Sequence, residues 1–163
     1  MLRKNLIIEI GGRKYQIQGS VGKGGPSQVF KAYIDSDPDQ LVALKVQNPP
    51  SPWEFHMYRQ LDCRIKESQR SSFGLAQRVH VYSDYSILVC DYLSNGTLHD
   101  VIKSQAKLGN GKGMEELLRM HYSIEMLYML ETLHNKNKRI HSLIQEQALG
   151  VARVSVLSIG VEE

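Results

Sequence analysis

A glycine-rich stretch between two strand-like segments is the first place where the sequence offers groups that could do chemistry. It reads Gly22-Lys23-Gly24-Gly25-Pro26-Ser27-Gln28-Val29, without the Gly-Lys-Ser/Thr of a P-loop and without the following helix of a dinucleotide-binding loop. Glycines let backbone N–H groups approach anionic oxygens closely, so the stretch is either a phosphate cover or a plain hairpin turn. The candidate phosphate-contacting residues are Gly22, Gly24, Gly25 and Ser27.

A lysine inside an apolar strand-like segment is the second candidate. Lys45 closes the run Val42-Ala43-Leu44-Lys45, 16 residues after Val29. This run matches the Val-Ala-Ile-Lys strand whose lysine holds the α- and β-phosphates in protein kinases. An unpaired buried charge is costly, so Lys45 needs an anionic partner unless it reaches solvent from an edge strand. Its distance from the glycine-rich stretch favours the kinase interpretation.

Glu54 is the candidate partner of Lys45 and lies nine residues after it. In protein kinases a helix glutamate pairs with the strand lysine and positions it. The same residue also closes the run Ser51-Pro52-Trp53-Glu54, which has the pattern of a capping box. In that case Glu54 would turn back to its own helix N-terminus. Spacing alone leaves the two interpretations equally good.

An apolar segment that leads into an acidic–aromatic pair and a glycine turn is the fourth candidate. Residues 86–98 resemble the kinase hinge. Cys90 would then be the gatekeeper, and the Asp91 carbonyl and Leu93 amide would hydrogen-bond the adenine edge. The apolar roof over the adenine would consist of Val21, Val29 and Ala43. The alternative is a core strand followed by a capped helix, but four candidates in this order favour the hinge.

Hydrophobic periodicity predicts the elements that must position these residues. Alternating or apolar runs predict strands at 14–18, 28–34, 41–46, 78–82 and 86–92. Helical spacing predicts helices at 53–61, 97–106 and 114–135, the second of them capped by Thr97 with Asp100 three residues on. The polar residues 66–72 predict a loop, and residues 35–40 predict a turn. The last helix has an apolar stripe formed by Leu117, Met120, Ile124, Leu127, Leu130 and Leu133.

Composition limits the classes of function. The 163 residues carry a formal charge of +3 with scattered Lys and Arg, which does not favour nucleic acid as a partner. Cys63 and Cys90 form no CxxC pair, and no histidines lie in ligand spacing, so we expect no metal site. We find no signal-peptide pattern and no run of 18 apolar residues, so we expect a soluble intracellular protein without a membrane partner.

A longer run narrows the kinase resemblance. Residues 43–55 contain the helix start Pro52-Trp53-Glu54-Phe55 at a short distance from the lysine, and they resemble the Bub-family mitotic checkpoint serine/threonine kinases. Residues 78–92 resemble the plant members in particular. The resemblance covers about Tyr15 to His134 and favours the ion-pair role for Glu54.

This resemblance implies an α+β, protein-kinase-like fold. The N-lobe, a five-stranded antiparallel sheet plus one helix, would occupy residues 1–93 with the glycine-rich loop and hinge, and an incomplete helical C-lobe would begin in 94–135. The resemblance also implies ATP as the bound nucleotide, with magnesium in the complete family. It further implies checkpoint and kinetochore proteins as partners and a location in the nucleus, at the kinetochore.

The resemblance stops after Leu133-His134. The family continues to a catalytic loop with His-Gly-Asp, whereas here Ile140-His141-Ser142-Leu143 has leucine at the aspartate position. No Asp-Phe-Gly or Ala-Pro-Glu follows. We therefore expect no catalytic aspartate, no magnesium motif and no phosphate transfer.

These departures predict a truncated product with a divergent, poorly ordered tail at 136–163. The helix at 114–134 would then lack its usual cover and would pack poorly or drive aggregation. The alternative is a catalytically inactive interaction module that competes for partners of the complete kinase.

Overall fold

The described part of this computed structural model consists of residues 5–108 and 114–135. Its elements in chain order are β1 (Ile7–Ile10), β2 (Arg13–Gly24), β3 (Ser27–Ile34), β4 (Asp37–Gln47), α1 (Pro52–Asp62), a 3-10 helix (Glu67–Ser72), β5 (Ala76–Val81), β6 (Ser86–Asp91), α2 (Leu98–Leu108) and α3 (Glu116–Asn135). The predicted tail at 136–163, with its Ile140-His141-Ser142-Leu143 run, lies outside the described residues.

The described residues divide into two compact units. The first comprises residues 5–61 and 75–92, which hold the six strands and nearly all of α1. The second comprises residues 62–74, 93–108 and 114–135, which hold the 3-10 helix, α2 and α3. The first unit therefore carries almost all of the candidate site residues.

The first unit is built on one antiparallel sheet with the strand order β1-β2-β3-β4-β6-β5. The prediction of five strands was wrong, because β1 adds a sixth by pairing with β2 from Ile7↔Gln16 to Ile10↔Arg13. Gly11 and Gly12 close this hairpin with φ angles of 57° and 76°. A two-residue hairpin turn with positive φ at both central residues favours glycine at both positions. The two glycines therefore indicate the pairing of β1 with β2 more strongly than the four residues of β1 do.

The turn predicted for residues 35–40 is shorter in the structure. Asp35 and Ser36 form it, with φ angles of 51° and 64°, and β4 already begins at Asp37. The register of β3 and β4 shifts just beyond this turn, so Pro38 lies in an irregular part of the strand. Proline is tolerated at such a place because no regular ladder hydrogen bond is lost.

One face of the sheet forms the core of the first unit. Its buried residues are Ile10, Tyr15, Ile17, Phe30, Ala32, Ile34, Val42, Leu44, Ile87 and Val89. Truncating a side chain such as Leu44 to alanine would cost about 2–5 kcal/mol. Successive strand residues point to opposite faces, so Ala43, Lys45 and Cys90 face away from this core.

Helix α2 begins with the predicted cap. The backbone N–H of Thr97 donates to Asp100 Oδ2 over 2.8 Å, and the Asp100 N–H donates to Thr97 Oγ1 over 3.2 Å. These reciprocal bonds form the capping box expected from the sequence. The hydrogen bond from the Thr97 side chain is the main reason why the pKa of Asp100 lies below its ordinary value.

Helix α3 begins at Glu116, two residues later than predicted, and exposes most of its apolar stripe. Leu117 is 71% exposed, whereas Leu133 is 6% exposed. The other stripe residues, Met120, Ile124, Leu127 and Leu130, are exposed as well. Near its end α3 meets the 3-10 helix, where a loop was predicted, through a 2.8 Å hydrogen bond from Gln69 Nε2 to Thr132 Oγ1.

Candidate functional site

The glycine-rich stretch forms a tight hairpin between β2 and β3. Gly24 pairs with Ser27 across a turn made by Gly25 and Pro26, and Gly25 has a φ of 50°. The Ser27 hydroxyl donates to the Gly24 carbonyl over 3.0 Å. A Cβ added at Gly22, Gly24 or Gly25 would meet no atom of the described residues within 4 Å. The stretch is thus a hairpin that also leaves open space beside its backbone.

Lys45 and Glu54 form an ion pair with both carboxylate oxygens. Lys45 Nζ lies 2.8 Å from Glu54 Oε1 and 2.9 Å from Oε2. The edge-strand interpretation of Lys45 is wrong, because β4 lies between β3 and β6. The capping-box interpretation of Glu54 is also wrong, because the Ser51 N–H that it would bind donates to Ser86 Oγ instead.

The residues predicted to surround the nucleotide lie on the sheet face opposite the core. Val29 is directly across from Lys45, and Ala43 is directly across from Cys90. Because side chains alternate along each strand, these four side chains share the face on which Glu54 meets Lys45. Val21 lies on β2 beside the glycine hairpin and is half exposed.

The Cys90 thiol lies in an environment that opposes ionisation. Burial, followed by the nearby Glu54 carboxylate, raises the pKa of Cys90 to about 12, although Lys45 acts in the opposite direction. Burial and the proximity of Cys90 and Glu54 also raise the pKa of Tyr58. Tyr58 was not among the predicted site residues, although it lies four residues after Glu54 and therefore on the same helix face.

The segment predicted as a hinge is held to the first unit at Asp91 and Tyr92. Gln77 Nε2 donates to Asp91 Oδ1 over 2.7 Å, and the Asp91 N–H donates to the Leu75 carbonyl over 3.1 Å. Lys31 Nζ lies 5.0 Å from the centre of the Tyr92 ring, within the range of a cation–π contact. Leu93 is the first residue of the second unit after this segment.

The described residues also bear on two other kinds of site. No three His, Cys, Asp or Glu side chains among residues 5–108 and 114–135 are grouped closely enough to hold a metal ion. In the same residues, no helix combines the length and the apolar character needed to cross a membrane.

Comparison with known proteins gives several relatives of one kind, although no family model matches the chain. The chain is 75% identical over 132 residues to the mitotic checkpoint serine/threonine-protein kinase BUB1 of Arabidopsis thaliana, covering 81% of the chain and 25% of the relative. It is 37% identical over 136 residues to the spindle assembly checkpoint serine/threonine-protein kinase BUB1 of Saccharomyces cerevisiae, covering 80% of the chain and 13% of the relative. The chain thus spans at most about a quarter of the length of these two relatives.

A solved structure supports the same relationship at the level of the fold. The crystal structure of the BubR1 kinase domain matches with a TM-score of 0.73 and 25% sequence identity, covering 82% of the chain and 40% of that domain chain. The predicted fold, a kinase N-lobe with part of the helical lobe, is therefore confirmed apart from the number of strands. With the sequence identity to the BUB1 proteins, this match shows that the chain belongs to the Bub family of checkpoint kinases, of which it is a kinase-domain segment.

Proposed function

We propose that the chain supplies the ATP-binding part of a serine/threonine protein kinase of the mitotic spindle checkpoint. The observation that supports this most directly is the pair between Lys45 and Glu54. An ammonium group has three N–H donors, and the two Glu54 oxygens use two of them. The Lys45 side chain is 30% exposed and that of Glu54 is 10% exposed, so Lys45 is only partly enclosed, and its third N–H would donate to a phosphate oxygen.

The residues around this pair would make the other contacts with the nucleotide, each group with a different part of it. Backbone N–H groups at Gly22, Gly24, Gly25 and Ser27 would cover the phosphates, since the described residues leave open space beside the three glycines of this hairpin. Val29 and Ala43, with Val21, would form the apolar roof, and Cys90 would be the gatekeeper. The Asp91 carbonyl and the Leu93 amide would bind the adenine edge.

A polypeptide of these 163 residues should bind the nucleotide without transferring its phosphate. The sequence has neither the catalytic aspartate that accepts the substrate proton nor the Asp-Phe-Gly that binds magnesium. With γ-labelled ATP and a generic protein substrate, we expect no incorporation above background. Incorporation that persists after Lys45→Ala would point to a contaminating kinase, whereas incorporation abolished by that change would contradict this part of the proposal.

The names of the relatives suggest the setting of this activity. A mitotic checkpoint kinase implies checkpoint and kinetochore proteins as partners and a location in the nucleus, at the kinetochore. A segment that binds these partners without phosphorylating them would compete with the complete kinase. Displacement of the complete kinase from kinetochores on expression of this chain would support the competition.

Nucleotide-dependent thermal stabilisation tests the proposal. A ligand that binds only the folded state stabilises it by RT ln(1 + [L]/Kd), which is about 2.7 kcal/mol at 100 times Kd. We expect ATP to raise the melting temperature of the wild-type chain and not that of Lys45→Ala, because a charge-assisted contact contributes about 1.5–3 kcal/mol. Lys14→Ala, which removes a charge from an exposed position of the same sheet, is the control and should respond like the wild type. Equal responses of Lys45→Ala and the wild type would refute the site.

A further inference from the structure

The linker between β4 and α1 has few backbone groups with which to hold the helix. Pro49, Pro50 and Pro52 have no N–H, so only Asn48 and Ser51 can donate between residues 48 and 52. The Asn48 N–H donates to the Pro26 carbonyl of the glycine hairpin over 3.0 Å. The Ser51 N–H donates to Ser86 Oγ over 3.0 Å. Each end of the linker therefore depends on one backbone donor.

Ser86 is suited to act as the acceptor at the helix end. It is the first residue of β6, it lies opposite Gln47 in the sheet register, and its side chain is fully buried. A hydroxyl in such a place loses its hydrogen bonds to water, so its bond to Ser51 matters more than an exposed one would. The three prolines leave no neighbouring N–H that could replace the Ser51 donor.

The position of Ser51 determines where Glu54 lies. The two residues are three positions apart, which is less than one helical turn of 3.6 residues. Lys45 is fixed from the other side by pairing with β3 and β6. A shift at the start of α1 therefore moves Glu54 relative to Lys45 with little in between to absorb it.

We propose that Ser86 is a positioning residue of the nucleotide site: its hydroxyl oxygen holds the entry of α1 and thereby keeps Glu54 against Lys45 before any nucleotide binds. This role rests on the proposed function only for its effect on ATP binding. The hold on Glu54 is a property of the first unit alone and can be measured without nucleotide.

Cys90 provides a reporter of the position of Glu54. Burial raises the pKa of Cys90 most and the Glu54 carboxylate raises it further, so displacement of Glu54 should make Cys90 react faster with iodoacetamide at a given pH. The measurement uses the full chain with Cys63→Ser, so that Cys90 is the remaining cysteine, and records the alkylation rate from pH 7 to 10. Ser86→Ala should raise the rate about threefold or more at pH 8 and move the profile to lower pH.

Three further variants separate an effect on the position of Glu54 from a general loosening of the first unit. Ser51→Pro deletes the donor while leaving the Ser86 hydroxyl, and it should change the Cys90 profile as Ser86→Ala does. In a Glu54→Gln background, Ser86→Ala should cause no further change, since no carboxylate remains to be displaced. Ser83→Ala removes an exposed hydroxyl that bonds Asp84 in the turn before β6, and it should leave the profile unchanged. A Cys90 profile that is unaltered by both Ser86→Ala and Ser51→Pro, or altered equally in the Glu54→Gln background, would overturn the proposal.

ATP titration of the same variants completes the test. Ser86→Ala should weaken ATP binding about five- to tenfold, the equivalent of one lost hydrogen bond. If Cys90 responds as expected but ATP does not stabilise even the wild-type chain, the result supports the hold of Ser86 on Glu54 and refutes the proposed nucleotide site. Unchanged ATP affinity of Ser86→Ala in a chain that binds ATP would overturn the positioning role.

Discussion

At the scale of single residues, the Glu54 carboxylate is a buried charge whose stability in the first unit depends on its pairing with Lys45. Glu54 is buried, and both of its oxygens contact Lys45. Replacing Lys45 by methionine would leave a buried carboxylate without its cation, which costs about 3–5 kcal/mol in fully buried pairs. Because Lys45 is partly exposed, we expect a smaller loss of about 1–3 kcal/mol in urea unfolding. Lys45→Met with Glu54→Leu should be more stable than Lys45→Met alone, and additive losses would contradict this coupling.

The same group of residues predicts how stability depends on alkaline pH. The pKa of Cys90 rises from its ordinary 9.0 to about 12 in the folded chain, and that of Tyr58 rises above its ordinary 10.0. The unfolded chain releases these protons first, so their contribution to stability is complete below pH 9 and is lost as pH rises from 9 toward 12. Urea unfolding between pH 8 and 10 should show this fall. Cys90→Ala should make it shallower, whereas Cys63→Ala, at an exposed thiol, should not.

Sequence reasoning predicted the pair of Lys45 and Glu54 better than it predicted the residues that support the pair. Lys45 and Glu54 are nine positions apart, and each is a charged residue between apolar neighbours. Ser86 lies 35 positions from Ser51, and its role depends on strand register and on the missing N–H groups of prolines. A buried serine has no periodic signature, so this contact could not be predicted from the pattern. Tyr58 could have been, because it follows Glu54 by one helical turn.

At the scale of elements, the hairpin between β1 and β2 meets β5. A Cβ on Gly11 would overlap the His80 ring, whereas one on Gly12 would meet nothing within 4 Å in the part of the chain that the structure describes. Both glycines have positive φ, so alanine at either position brings about 1–2 kcal/mol of backbone strain. Gly11→Ala must in addition displace His80, and we expect it to lower the free energy of unfolding clearly more than Gly12→Ala. Equal losses in urea titrations would show that the contact with His80 contributes nothing.

His80 also predicts an acid limit to the stability of the sheet. Burial, followed by the positive charge of Arg78, lowers the pKa of His80 below its ordinary 6.5, and its buried Nε2 has no hydrogen-bond partner within residues 5–108 and 114–135. The neutral ring is the folded form, so stability is complete above pH 6.5 and falls as the pH drops from 6.5 to the lowered pKa. Unfolding measured between pH 7 and 5 should show this fall. His80→Leu should remove part of it, and His56→Leu, at an exposed position on α1, should not.

The elements themselves could largely be predicted where local chemistry determines them. The start of α1 at Pro52 and the Thr97 cap of α2 both depend on residues within one turn of the helix end. Strand β1 was missed because it is short and mostly exposed, and its pairing depends on a glycine turn rather than on alternation. The 3-10 helix was predicted as a loop because its six residues are all polar and carry no periodicity.

At the scale of the whole chain, helix α3 is the element whose apolar sequence contrasts with the exposure of its side chains. Large apolar side chains are exposed along it, among them Leu117, Leu127 and Tyr128. Contiguous exposed apolar surface of more than a few hundred Å² is rare in soluble monomers and drives association when it stays uncovered. At about 25 cal/mol per Å², covering such a surface contributes several kcal/mol, comparable with the stability of a small domain.

Self-association through α3 is therefore the expected behaviour of the isolated chain at micromolar concentration. Leu117→Gln with Leu127→Gln removes two of the most exposed apolar side chains, so it should shift light-scattering mass toward the monomer without lowering the unfolding midpoint. Leu133→Gln is the matched control on the same helix: it introduces an amide where the leucine is 6% exposed, so it should destabilise the second unit and leave association no weaker. A wild-type chain that is monomeric at all concentrations, with its α3 amides protected from hydrogen exchange as strongly as the sheet, would show that this helix is already covered.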